Sequence, residues 1–157
     1  GTCRHRSLSQ ARPGDALRLD MRKAVKALQK PVTYEEFGEQ HSKRITLKAE
    51  ALIAQVGDVV LRRKDQGAAY HLAVVIDDDA QNITDVVRGA DLNAATQIHV
   101  VLQQLLNIPT PRYHHHSLIR DETGKRLAKR SDSEALSSLR KAGHSAQDIT
   151  ERFFSAP

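Results

Sequence analysis

Around Gly89 the spacing of apolar residues changes period, and that change restricts the architectures open to the chain. Upstream, Ala69 to Ile76 (AYHLAVVI) is an almost continuous apolar run. Ile83 to Arg88 (ITDVVR) is a second, set off by the polar turn Asp77-Asp78-Asp79 and Gln81-Asn82. Short continuous runs of this kind suit strands covered on both faces. Downstream, Leu92, Ala95, Ile98, Leu102 and Leu105 recur at helical spacing, with Asp91 placed to cap the helix and Pro109 and Pro111 placed to stop it. The pattern predicts adjacent strands over 69–76 and 83–88, a helix over 91–106 packed on their sheet, and a further strand over 113–119. Strand, turn, strand, helix, strand is the order of an open α/β sheet.

The flanks read differently. Ser7 to Ala11 is a short helical turn before Pro13-Gly14, Ala16 to Asp20 alternates as a short strand, and Met21 to Gln29 forms a helix broken by Pro31. Val32 to Phe37 is another strand, while 39–55 carries no clear period. Val59 to Leu61 is a strand ended by the charged turn Arg62 to Gly67. After the basic loop Arg120 to Arg130, Ser131 or Asp132 caps a helix through Lys141, Gly143 ends it, and Ser145 caps a second one reaching Phe153. This divides the chain into 1–56, 57–119 and a helical appendage over 120–157.

Composition narrows the function classes. With 157 residues, 39% hydrophobic and 27% charged, the chain is long enough for one ordinary globular domain and unlike a disordered tail. No apolar run approaches the ~18 residues of a membrane span, and the opening residues do not read as a signal peptide. The single cysteine, Cys3, rules out an internal disulfide framework and points to a reducing, cytoplasmic compartment. The start at Gly-Thr-Cys, with Met21 the only methionine, reads as a piece cut from something longer. The net charge of +5 is uneven: 13 basic against 7 acidic residues over 1–63, 2 against 6 over 64–110, and 9 against 6 over 111–157. Basic ends around an acidic middle suit contact with a polyanion such as RNA or a nucleotide phosphate, and equally suit a solvated basic surface.

GKRLAKR, Gly124 to Arg130, holds four cations in seven residues behind a glycine hinge. Such a loop can bring an ammonium to a polyphosphate and neutralise charge that builds during phosphoryl or adenylyl transfer. It can also be a solvated loop before a helix. The run His114-His115-His116 invites a metal, but alternate strand side chains face opposite ways, so two at most could share an ion. Ordinary packing with His115 near a nucleotide pocket is the preferred reading.

Taken in order, HLAVVIDDDAQNITDVVRGADL, YHHHSLI and RDETGKRLAKR closely resemble the second half of the catalytic domain of the glutamyl class of class I aminoacyl-tRNA synthetases. The likeness is strong from Gly57 to Arg130 and loose from Ser7 to Val56. It implies a Rossmann-like α/β fold, with 1–56 as the remnant of a zinc-binding and acceptor-binding insertion. Within the family the chain is most similar to the short paralogue without an anticodon-binding domain, which uses ATP to activate glutamate and transfers it to the queuosine base of tRNA(Asp). On this resemblance RLAKR is the variant of the KMSKS signature. Lys129, its second lysine, would stabilise charge at the ATP phosphates; Arg126 keeps the first cation, and Ala128 loses a hydroxyl.

The resemblance further implies that Tyr70 and Arg88 hold the amino acid in one shared pocket. A guanidinium suits a carboxylate, and a phenol suits an ammonium or carboxylate. Asp91 matches an acidic residue near the nucleotide ribose, and Leu118 and Ile119 would lie against adenine. ATP would enter with Mg2+. GTCR resembles the end of the paralogue's zinc segment, which makes Cys3 an orphaned zinc ligand. Val74 stands where many ordinary glutamyl-tRNA synthetases have asparagine, favouring the short paralogue, and Ser117 replaces a usual proline. The HIGH signature is missing, so the chain alone is expected to be inactive. The alternatives are a fragment of an ordinary glutamyl-tRNA synthetase and, from another class, a non-catalytic basic RNA-binding module.

Overall fold

The computed structural model describes residues 5–38, 42–64, 67–120, 124, 127 and 135–154. They fall into two compact units, 1–116 and 117–157. In the first unit, Ser7 caps a 3-10 turn at Leu8–Gln10, and a short strand β1 (Leu17–Leu19) follows. Asp20, read from the sequence as the last residue of that strand, instead caps helix α1 (Met21–Ala27), its carboxylate accepting from the N–H groups of Arg22 and Lys23 at 3.0 and 3.2 Å. After Pro31 come β2 (Val32–Phe37) and β3 (Ser42–Leu47), an antiparallel pair registered Val32 to Leu47.

The stretch without a clear period thus holds a strand and then α2 (Ala49–Ala51), which continues into a turn of π-helix at Leu52–Val56. Gly57 ends it at φ 67°, a conformation costly for any residue with a Cβ. β4 (Val59–Arg63) and the two-residue β5 (Gly67–Ala68) complete an antiparallel sheet of order β1-β4-β5.

The apolar run 69–76 is not a strand. It is the body of helix α3 (Tyr70–Ala80), and the three aspartates predicted to form a turn lie inside its last turns. An eight-residue apolar run has no period to separate a buried strand from a buried helix, so length and termini decide. β6 (Asp85–Gly89) therefore has no strand partner from 69–76. It pairs in parallel with β7 (Arg112–His116), which ends at His116 and not at residue 119, in a four-stranded sheet of order β3-β2-β7-β6.

Helix α4 (Asn93–Leu106) packs on this sheet as expected, but Asp91 is not its cap. Asp91 lies within a preceding 3-10 turn at Ala90–Leu92, and Leu92 takes the cap position. Val100 and Val101 of α4 join Tyr34 of β2, Tyr113 of β7, Met21 and Leu52 in one core. Burying each such side chain contributes roughly 1.5–3 kcal/mol.

The second unit holds α5 (Leu136–Lys141) and α6 (Ala146–Phe154). Ala135 takes the cap position of α5, and the predicted caps Ser131 and Asp132 lie outside the described residues. Ser145 does cap α6, in a reciprocal arrangement with Asp148. Among the described residues no helix is long and apolar enough to cross a membrane.

Candidate active site

The parallel register of β6 and β7 sets Arg88 opposite His115, so the two side chains emerge on the same face of the sheet. His114 points the other way, its Nδ1 donating to the Phe37 carbonyl at 2.5 Å. One turn apart on α4, Thr96 and His99 cover the Arg88 face and are 0% and 2% exposed. Two strands and one helix thus deliver four polar side chains to one point.

Their bonds form a continuous chain. Arg88 donates from Nε to His115 Nε2 at 3.2 Å, from Nη2 to the Thr96 hydroxyl at 2.5 Å, and from Nη1 to His99 Nδ1 at 3.3 Å. Its guanidinium carbon lies 5.2 Å from the centroid of the Tyr113 ring. The far nitrogen of each imidazole is also engaged. His99 Nε2 meets His71 Nδ1 at 3.0 Å, and His115 Nδ1 meets both carboxylate oxygens of Glu36 at 2.9 Å. A ring nitrogen that accepts from Arg88 has no proton, so in each ring the other nitrogen carries it.

Electrostatics favour the neutral form of two histidines in this chain of bonds. Burial, with the nearby Arg88 charge and His71 adding to it, pushes His99 down to about 3. His71 is lowered for the first two of those reasons. Among the described residues no carboxylate lies within 4.0 Å of the guanidinium. Among the described residues three of its five N–H groups are spent on uncharged acceptors, leaving two on a half-buried cation held in a fixed orientation. That arrangement suits an incoming carboxylate.

Tyr70 opens α3 and is 59% exposed, its ring centroid 5.4 Å from that of His71 and 6.2 Å from that of His99. Tyr70 and Arg88 therefore both border the His99 imidazole. Asp91 is exposed on the 3-10 turn. Leu118 and Ile119 are half-buried in the second unit, where the Ile119 carbonyl accepts from Leu127 N at 3.1 Å. Cys3, Arg126 and Lys129 lie outside the described residues, as does most of the segment 122–130. Among the described residues no three His, Cys, Asp or Glu side chains group to hold a metal, and the chain's one cysteine lies outside them.

Sequence reasoning missed Glu36, His71, Thr96 and His99. The signal for the last two was present: Thr96, His99 and Gln103 recur at helical spacing along α4 and are its most buried polar residues. Of the predicted stripe, Leu102 is buried, while Ile98 and Leu105 are only partly buried against the core. Glu36 gave no signal, because its partner His115 lies 79 residues away.

Residues 17–153 match the family described as tRNA synthetases class I (E and Q), catalytic domain. The chain is 49% identical over 152 residues to the glutamyl-Q tRNA(Asp) synthetase of Rhodobacter capsulatus, covering 95% of this chain and 53% of that protein. The protein of the same name from Xanthomonas axonopodis pv. citri is 58% identical over 83 residues, 53% of this chain and 28% of that one. The one from Xanthomonas campestris pv. campestris is 46% identical over 130 residues, 79% and 43%. The chain spans about half or less of these relatives. With a family match from β1 into α6 and a mixed sheet whose parallel strands carry the polar cluster, the chain belongs to the class I tRNA synthetases of the E and Q type, in their catalytic domain.

Proposed function

We propose that Arg88 binds the carboxylate of glutamate in a protein that activates glutamate with ATP and transfers it to the queuosine base of tRNA(Asp). One observation carries the proposal: a half-buried guanidinium held by uncharged acceptors, with two N–H groups to spare among the described residues. Partial burial strengthens the pairing, and fixed orientation lowers the entropy cost of finding it. Tyr70, on the other border of His99, supplies a phenol to the same ligand. The names of the relatives support glutamate and tRNA(Asp) as the amino acid and the RNA.

Arg126 and Lys129 are proposed to meet the ATP phosphates, with Mg2+ entering as part of that substrate. Asp91 is proposed to reach the ribose, and Leu118 and Ile119 the adenine. Cys3 is proposed as a former zinc ligand with no part in these steps. Residues 1–56 are proposed as the insertion remnant, 57–119 as the sheet half of the catalytic domain, and 120–157 as the signature loop with its helical appendage. A cytoplasmic setting is proposed from the lone cysteine. The 157 residues contain the second of two ATP signatures and not the first, so this chain is proposed to bind glutamate without turning it over.

The test is glutamate titration of the 15N-labelled chain, followed at the Arg88 Nε–H resonance. Glutamate shifts that resonance, and Arg88→Ala weakens binding roughly 10- to 100-fold, the loss expected for a charge-assisted pair. Arg88→Lys recovers part of it, because an ammonium keeps the charge but not the fork. An Arg88→Ala chain that binds glutamate as well as the wild type overturns the assignment. For Lys129, ATP–pyrophosphate exchange in the full-length protein is the measurement. Lys129→Ala slows exchange at least tenfold with RNA binding intact, whereas equal rates make RLAKR an ordinary basic loop.

A further inference from the structure

Glu36 sits on β2, which meets β7 through the single pairing of Glu36 with Tyr113. Beyond that point the Glu36 side chain takes over the role of the strand ladder. Its Oε1 accepts from the backbone N–H of His115 at 3.0 Å, while both carboxylate oxygens accept from Nδ1 of the same residue at 2.9 Å. One carboxylate therefore holds both the main chain and the ring of His115, whose side chain is 3% exposed.

The chemistry runs in one direction. An ionised carboxylate only accepts, so the His115 proton resides on Nδ1 and the lone pair on Nε2. That lone pair faces the Arg88 Nε–H at 3.2 Å and the Thr96 hydroxyl at 3.0 Å. The opposite tautomer would set an N–H against the N–H of Arg88, donor against donor, and the guanidinium would lose its inner anchor. Among the described residues Glu36 makes no ion pair with Arg88, so its charge does not occupy the N–H groups left for a ligand.

We infer that Glu36 is a positioning residue of the amino-acid site: by fixing the Nδ1–H tautomer of His115 it holds the Arg88 guanidinium oriented and free to take a carboxylate. This rests on the reading of Arg88 given above. The device resembles the way a carboxylate behind a metal-bound histidine sets its tautomer, here with a guanidinium in place of the metal.

The test begins with the wild-type chain. Long-range 1H–15N correlation of the histidine rings shows His115 protonated at Nδ1 and bare at Nε2. A dominant Nε2–H form overturns the inference without any variant. In Glu36→Ala the His115 preference is lost, the Arg88 Nε–H exchanges faster with water, and glutamate affinity falls about tenfold while ATP affinity holds. Glu36→Gln, whose amide oxygen can still accept from Nδ1, retains the tautomer and most of the affinity. Unchanged glutamate affinity in Glu36→Ala, with Arg88→Ala abolishing it, overturns the role of Glu36 and leaves the Arg88 reading standing. Absence of any glutamate response in the wild type overturns the Arg88 reading, and this inference with it.

Discussion

At position 99 a histidine that would titrate near 6.5 in water stays neutral down to about 3, because burial and the Arg88 charge both oppose a second cation. The folded state therefore binds this proton more weakly than the unfolded chain does. The stability linked to neutral His99 is fully present above about pH 6.5 and is lost as pH falls from there toward 3. The slope contributed by one such group reaches ~1.4 kcal/mol per pH unit. Urea denaturation between pH 7 and 4 should show the wild type losing stability more steeply than His99→Gln, which has nothing to protonate at that site. Parallel curves would mean that the imidazole is not the group responsible. The same residue shows why a helical stripe of apolar positions is a poor guide to a site. The most buried side chains of α4 include Thr96, His99 and Gln103, each inside because a partner on the sheet or on α3 receives it.

Among the elements, α3 departs most from its sequence reading. Three aspartates at a helix C-terminus oppose the macrodipole, which is why a turn at 77–79 is the natural inference. The structure instead closes the helix three residues later. Ile83 N donates to the Asp78 carbonyl and Asn82 N to the Asp79 carbonyl, both at 2.9 Å, with Asn82 at φ 55°. This is a Schellman stop with asparagine in the left-handed position. Helix α4 ends the same way, with Ile108 N on the Gln103 carbonyl at 3.0 Å and Asn107 at φ 56°. The Asn-Ile pair recurs at both sites and was the legible clue that 69–81 is a helix. Asn82→Gly should leave stability unchanged or slightly higher, and Asn82→Val should cost about 1–2 kcal/mol, as a β-branched residue must adopt positive φ. Equal denaturation midpoints for the two variants would count against the stop.

For the whole molecule, every member of the Arg88 cluster, from Glu36 to His115, belongs to the compact unit 1–116. Its core, built from α1, the π-helical turn, α4 and both sheets, lies in the same unit. A fragment ending at His116 should therefore fold and keep the Arg88 Nε–H resonance at its position in the full chain, by two-dimensional NMR. A collapsed spectrum would show that 117–157 is needed to hold the site. The charge blocks read from the sequence do not map onto this division. The acidic middle contributes Arg88 itself, so a block's net sign says little about the charge at one point within it.

Local chemistry by itself determined β2, α1, the stop at Gly143 and the Ser145 cap, because each depends on neighbours a few residues apart. It also determined that Arg88 stands in a strand beside the glycine that ends it, which placed a cation at the end of a strand. Tertiary structure decided the rest. Whether 69–76 becomes strand or helix depends on what packs against it, since an unbroken apolar run satisfies either geometry. Which residues surround Arg88 depends on strand register and on the lie of α4, which bring Glu36, Arg88, Thr96, His99 and His115 together. No local spacing encodes that meeting, because the bonds that make it join residues up to 79 positions apart.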